Sequence, residues 1–153
     1  MSNGLQLFLA LLRIAAGLSI LGPGLQKLSW FRHPGLEHVL ATWATQTDNP
    51  AVLTYLNLIV PHAAWLARVV ALGEISLGSL LLIGFGTPLA SLLAFLMVFN
   101  YHFASGKMVS QHYLIGQDGL VYLVVFLVLL SGKAGLAFGV DGALRRRYTA
   151  GPR

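Results

Sequence analysis

Glu74 lies within the apolar run 63–85, and Arg13 lies within another, 5–25. A charge at membrane depth costs several kcal/mol or more on most scales, so it takes a partner and often marks a function. At 1.5 Å per residue, Arg13 falls about 12 Å from the start of an expected span at about 5–27, and Glu74 about 13 Å from the end of one at about 62–83, ends that share one side in antiparallel helices. Equal depth on neighbouring helices predicts an Arg13–Glu74 ion pair. Such a pair could lock two helices together or prepare a functional site, and the residues alone leave both open.

A second polar group gathers near the opposite end of the runs. Lys27, Arg68, Asn100, His102 and Asp118 all fall close to that level, with Arg68–Asp118 a second expected pair. Several donors beside one acid at headgroup depth suit a small polar ligand such as a quinone, whose carbonyls accept hydrogen bonds. They also suit side chains satisfied at a water boundary. His62 and His102 come near one another at this level, which leaves bis-histidine haem ligation geometrically open. No His, Asp or Glu spacing matches a zinc or di-iron site, so no metal is expected. Phosphate-loop, dinucleotide and nucleophile-elbow motifs are absent from the sequence. The chain has no cysteine, which excludes disulfides and thiol relay chemistry within it.

The elements that must hold these residues are set by composition. Of 153 residues, 56% are hydrophobic and only 10% charged, far below the roughly 25% charged of soluble domains. Runs of about 17–25 apolar residues read as membrane-spanning helices. Four are expected, at about 5–27, 62–83, 88–105 and 113–130, forming one all-α antiparallel four-helix domain with a basic tail, 131–153. The tight Gly84-Phe85-Gly86-Thr87-Pro88 turn forces two of the spans to be antiparallel neighbours. Arg13, Gly17, Ile20, Gly24 and Lys27 share one face of the first span. Ala67, Ala71, Glu74 and Gly78 share one face of the second, so two small-residue faces can meet. Gly22-Pro23-Gly24 predicts a kink just before Lys27.

Between the first two spans, Leu36, Val39, Leu40 and Trp43 form an amphipathic stripe, and Asn49-Pro50 reads as a helix start. With Trp30 and Phe31 nearby, this segment predicts interfacial helices that act as a lid or as a route for substrate. Lys133, Arg145, Arg146, Arg147 and Arg153 lie on the side of the termini, against Lys27, Arg32 and Lys107 on the other. That imbalance predicts cytoplasmic termini, with Arg145–Arg147 near anionic headgroups. The net charge of +5 is too sparsely placed for nucleic acid. The amino-terminal run lacks the basic start and cleavage site of a signal peptide and is expected to stay.

Leu12-Arg13-Ile14, Gly17 and Gly24-Leu25-Gln26-Lys27-Leu28 resemble the opening of DoxX-type membrane proteins. The stretch Arg68 to Ile75 with Gly78 resembles that family's second-helix motif around a glutamate. Gly116-Gln117-Asp118-Gly119 and the segment Gly135 to Asp141 look like its later regions. The resemblance implies a four-helix bundle of bacterial or archaeal cytoplasmic membranes. It implies Arg13, Lys27, Glu74 and Asp118 as motif positions. The family takes its name from a subunit of an archaeal thiosulfate:quinone oxidoreductase, and other members are linked to complexes handling oxidative or thiol stress. The role implied here is redox-associated: a quinone-binding subunit of a membrane oxidoreductase, joined to a redox partner subunit or to copies of itself, with no covalent cofactor. A scaffold or carrier with purely structural ion pairs is the alternative. Gly132-Lys133-Ala134-Gly135 departs from the family's glycine-serine-leucine-aspartate tail pattern, although Asp141 can stand as its aspartate.

Overall fold

The computed structural model describes residues 2–109, 113, 120–131, 134–136 and 138–149. Among these every regular element is helical: α1 (Asn3–Gln26), α2 (Leu36–Thr45), α3 (Pro50–Ile59), α4 (Ala63–Ile83), α5 (Thr87–Ala104), α6 (Leu120–Ser131) and α7 (Val140–Thr149). Short 3-10 turns at Lys27–Phe31, Val60–His62, Lys107–Val109 and Ala134–Leu136 join or extend them.

Three stretches are long and apolar enough to cross a membrane: Asn3–Phe31, Pro50–Ile83 and Thr87–Ala104. The fourth expected span, 113–130, falls partly outside the described residues, and its described helix, α6, is a shorter apolar one. Leu7, Phe8, Leu11, Leu18, Leu72, Leu89 and Leu96 all point outward. So much contiguous exposed apolar surface is untenable in water and ordinary in lipid. The molecule is a multi-pass membrane protein.

Local chemistry fixes where the helices start and stop. The Ser2 side chain accepts from the Leu5 N–H and caps α1. The Asn49 side chain accepts from the Ala51 and Val52 N–H groups, with Pro50 at the first position of α3. Gly84 ends α4 in the left-handed conformation, φ +68°, which a side chain would resist. Two residues later Gly86, φ +58°, turns the chain into α5.

α1 lies along α4 at close range because both present small residues. A Cβ on Gly17 would stand 3.0 Å from the Gly78 carbonyl oxygen, and one on Gly24 would stand 2.8 Å from the Glu74 Cβ. The buried faces are those expected: Arg13, Gly17, Ile20 and Gly24 on α1, and Ala67, Ala71, Glu74 and Gly78 on α4. α1 continues through Pro23 to Gln26. α6 packs on α5 and α1, burying Leu123, Phe126 and Leu129. The two helices between the first spans form a second core of their own. Leu36, Leu40, Val52 and Leu56 pack against Ala63, Ala67 and Ala104 at one end of the long helices.

Candidate functional site

The carboxylate of Glu74, 3% exposed, is held midway along α4. Its partner is Lys27, where α1 passes into the 3-10 turn. The Lys27 Nζ lies 2.6 Å from both carboxylate oxygens. The Tyr101 hydroxyl of α5 donates to Glu74 Oε1 at 2.8 Å. Three helices therefore converge on one acid. The ammonium also stands 5.5 Å from the centre of the Trp30 ring and 6.0 Å from that of Tyr101, a cation–π arrangement that adds to its confinement.

The expected Arg13–Glu74 pair does not form. Gly24, not Arg13, lies beside Glu74, while the Arg13 guanidinium lies flush against Gly84. Ten residues of α4 separate those two levels, about 15 Å along the axis. Equal depth counted from span ends assumed flush ends, whereas the glycine contacts slide α1 past α4 and bring Lys27 to the acid. Arg13 is instead buried against the end of the molecule that carries the α4–α5 turn. Its Nη2 donates to the Phe138 carbonyl at 3.4 Å, and Gly84 and Gly139 flank the same guanidinium. A cation at the carbonyl-rich end of α4 is favourably placed in that helix's dipole. Asp141 completes the arrangement, accepting from the Gly86 N–H at 2.8 Å and the Thr87 N–H at 3.0 Å. Asp141 thereby caps α5 and ties the start of α7 to the turn.

A cavity of about 280 Å³ opens beside the Lys27–Glu74–Tyr101 group. Its remaining walls are mostly apolar: Ile20 and Pro23 from α1, Met97 and Val98 from α5, Tyr122 and Phe126 from α6, with Ser19 and His102. A groove of about 270 Å³ between α1 and α6 shares Ser19 and Tyr122 with it and runs on past Ala15, Ala16 and Val125. The His102 ring, 8% exposed, has its Nδ1 3.1 Å from the Tyr113 hydroxyl.

Of the five residues expected to bind a ligand, Lys27 and His102 line this cavity. Arg68 lies on the surface, where its Nε donates to the Phe31 carbonyl at 3.2 Å and its Nη1 to the Ala64 carbonyl at 2.9 Å. It holds the turn after α1 against α4. The Asn100 amide donates to the Tyr55 hydroxyl, beside a smaller space of about 110 Å³ walled by α2, α3, α4 and α5. Asp118, and with it the Arg68–Asp118 pair, lies outside the described residues. His62 sits exposed at the start of α4 and does not line the cavity. Tyr101 was missed by sequence reasoning. The signal for it was spacing: Met97, Val98, Tyr101 and His102 recur on one face of α5.

The DoxX family profile matches residues 8–106, well over half of the chain. The chain belongs to the DoxX family. The matched stretch of this DoxX protein holds Arg13, Lys27, Glu74, Tyr101 and His102, and stops before α6 and the Asp141 segment. No curated protein and no solved structure matches it.

Proposed function

We propose that this DoxX protein binds an isoprenoid quinone, or a similar membrane-dissolved molecule with a hydrogen-bond-accepting headgroup, in the cavity beside Lys27, Glu74 and Tyr101. The observation that carries the reading is a buried polar group at the head of a space whose other walls are mostly apolar. An ammonium has three N–H donors. Two serve the carboxylate oxygens, and the third is available to a ligand carbonyl. The groove between α1 and α6 gives an isoprenoid tail a continuous apolar path. The role is redox-associated, as a subunit of a membrane oxidoreductase working with a partner subunit or with further copies of itself. We place a fourth crossing at 113–130, with α6 in it, to complete a four-helix bundle whose second core, α2 and α3, lies at the outer interface. By the imbalance of basic residues, the termini face the cytoplasm of a prokaryotic cell.

A scaffold or carrier is the second reading. Its support is that Lys27, Glu74 and Tyr101 satisfy one another without any ligand. Titration of a short-chain quinone analogue into protein in lipid nanodiscs separates the two. Saturable binding, weakened in Tyr101→Phe more than that variant's stability is lowered, is the expected result. If the wild-type protein shows no saturable binding, the quinone reading fails and the scaffold reading takes its place.

A further inference from the structure

Beneath α2 lies a second cavity, of about 360 Å³, that the quinone reading leaves unused. One wall is apolar, built from Leu36, Val39 and Val70, and the indoles of Trp30 and Trp43 line it as well, with the Lys27 ammonium over the Trp30 ring. Among the described residues, the charged side chains that line it are Lys27 and Lys107, His102 lines it too, and no described lining residue is acidic. The Lys27 charge is offset by Glu74. Lys107 is exposed at the rim and has no acidic partner among the described residues. The cavity sits where α1 has ended and α5 passes into the Lys107–Val109 turn. Lys27, Tyr101 and His102 line both cavities and form the partition between them.

We propose that this second space is a water-facing binding chamber for a small anion with a flat apolar body, of the aromatic carboxylate class. The indoles stack the body, Lys107 meets the anionic group at the rim, and the partition brings the bound molecule against the reverse side of the Lys27–Glu74–Tyr101 group. The excess of cation over acid among the described lining residues disfavours cationic ligands, and the aromatic walls favour a planar body over a small hydrated ion. An acidic lipid headgroup carries related chemistry, an anion joined to an apolar body, so the test has to tell the two sources apart. The proposal rests on the lining of this chamber and not on the quinone reading.

The absence of cysteine makes site-specific thiol labelling direct. Val39→Cys, in the chamber wall, is incorporated into phosphatidylcholine nanodiscs and treated with the water-soluble, anionic sulfonatoethyl methanethiosulfonate. It should react freely, and 2-naphthoate at about ten times its half-saturating concentration should slow the reaction about tenfold. Neutral 2-naphthamide should not. Lys107→Gln should raise the half-saturating concentration of naphthoate by about fivefold, the weight of a partly exposed charge pair. Protection by phosphatidylglycerol in the disc but not by naphthoate would support the anion-binding chemistry and assign it to lipid. Failure of the Val39→Cys thiol to react, no protection by either anion, or equal protection by the amide would overturn the proposal. Val98→Cys, in the other cavity, reports quinone-analogue protection separately, so either reading can fail while the other stands.

Discussion

Replacing Glu74 by Gln removes the charge and keeps the shape, which isolates what the Lys27 contact contributes. The side chain is 3% exposed, and both oxygens lie 2.6 Å from the Lys27 Nζ. Losing one member of a fully buried pair costs about 3–5 kcal/mol, because the other charge is left stranded. Lys27 is 23% exposed on its side chain and borders the chamber beneath α2, so water can solvate part of the stranded charge. The expected cost is therefore lower, about 2–3 kcal/mol. The Tyr101 hydroxyl keeps an acceptor in the glutamine amide oxygen and adds little. Lys27→Met together with Glu74→Met should lie within about 1 kcal/mol of wild type, since apolar replacements of a buried pair are often near neutral. The assay is equilibrium unfolding in mixed micelles titrated with dodecyl sulfate, read as a double-mutant cycle. Lys27 and Glu74 should couple by about 2 kcal/mol, whereas Arg13→Met and Glu74→Gln should add within about 0.5 kcal/mol. Additive effects for Lys27 and Glu74, or compensation between Arg13 and Glu74, would refute the pairing and restore the one expected from depth.

The other predictions test the packing, the turn and the topology. Gly24→Ala should lose about 1–3 kcal/mol, because its Cβ would meet the Glu74 Cβ at 2.8 Å and the Ile75 nitrogen at 2.9 Å. Gly22→Ala, with nothing within 4 Å, should be neutral or gain up to about 1 kcal/mol from helix propensity in the same unfolding assay. Asp141→Asn weakens the cap on α5 and should cost about 1–2 kcal/mol. It should also speed tryptic cleavage within Arg145–Arg147, and an unchanged cleavage rate would mean that α7 is held by other contacts. A reporter fused after Arg153 should behave as cytoplasmic and one inserted at Asp48 as external; the reverse pattern would overturn the orientation read from the basic residues.

What could be read from the sequence is what periodicity encodes. The spans over α1, α4 and α5, the cap at Asn49, the α2 stripe from Leu36 to Trp43 and the small-residue faces of α1 and α4 all follow from local pattern, and the structure has them. Partner choice is not local. It depends on how far one helix slides along another, and neither run carries a mark of that offset when taken alone. The information was present in the glycines. Only where Gly24 faces Glu74 and Gly17 faces Gly78 can the two backbones approach as closely as they do. Seating those contacts first places Lys27 within about one helical turn of Glu74 and leaves Arg13 at the far end. Arg68 and Asn100 do not line the Lys27 cavity, because the face of the helix each occupies is not set by its position along the span. Each satisfies a neighbouring element rather than the cavity: Arg68 the Phe31 carbonyl, and Asn100 the Tyr55 hydroxyl.

Buried Arg13 and half-buried Lys27 differ in what surrounds them. Arg13 is 1% exposed and is wrapped by backbone at Gly84, Phe138 and Gly139, so tightly that a Cβ on Gly84 would overlap its Nη1. A group packed so closely can hold a turn and a tail together, but it cannot admit a ligand, and it lines neither cavity. Lys27 has the opposite setting. Its carboxylate partner is buried, yet open volume lies on both sides of the ammonium, one side walled by α1, α5 and α6 and the other by α2. A charge costs free energy to hold in an apolar setting whether or not it has space around it. Close packing turns that cost into rigidity, whereas adjacent space lets an incoming molecule compete for the same hydrogen bonds. Of the two, the Lys27 end has the open space beside it that the proposed binding function uses.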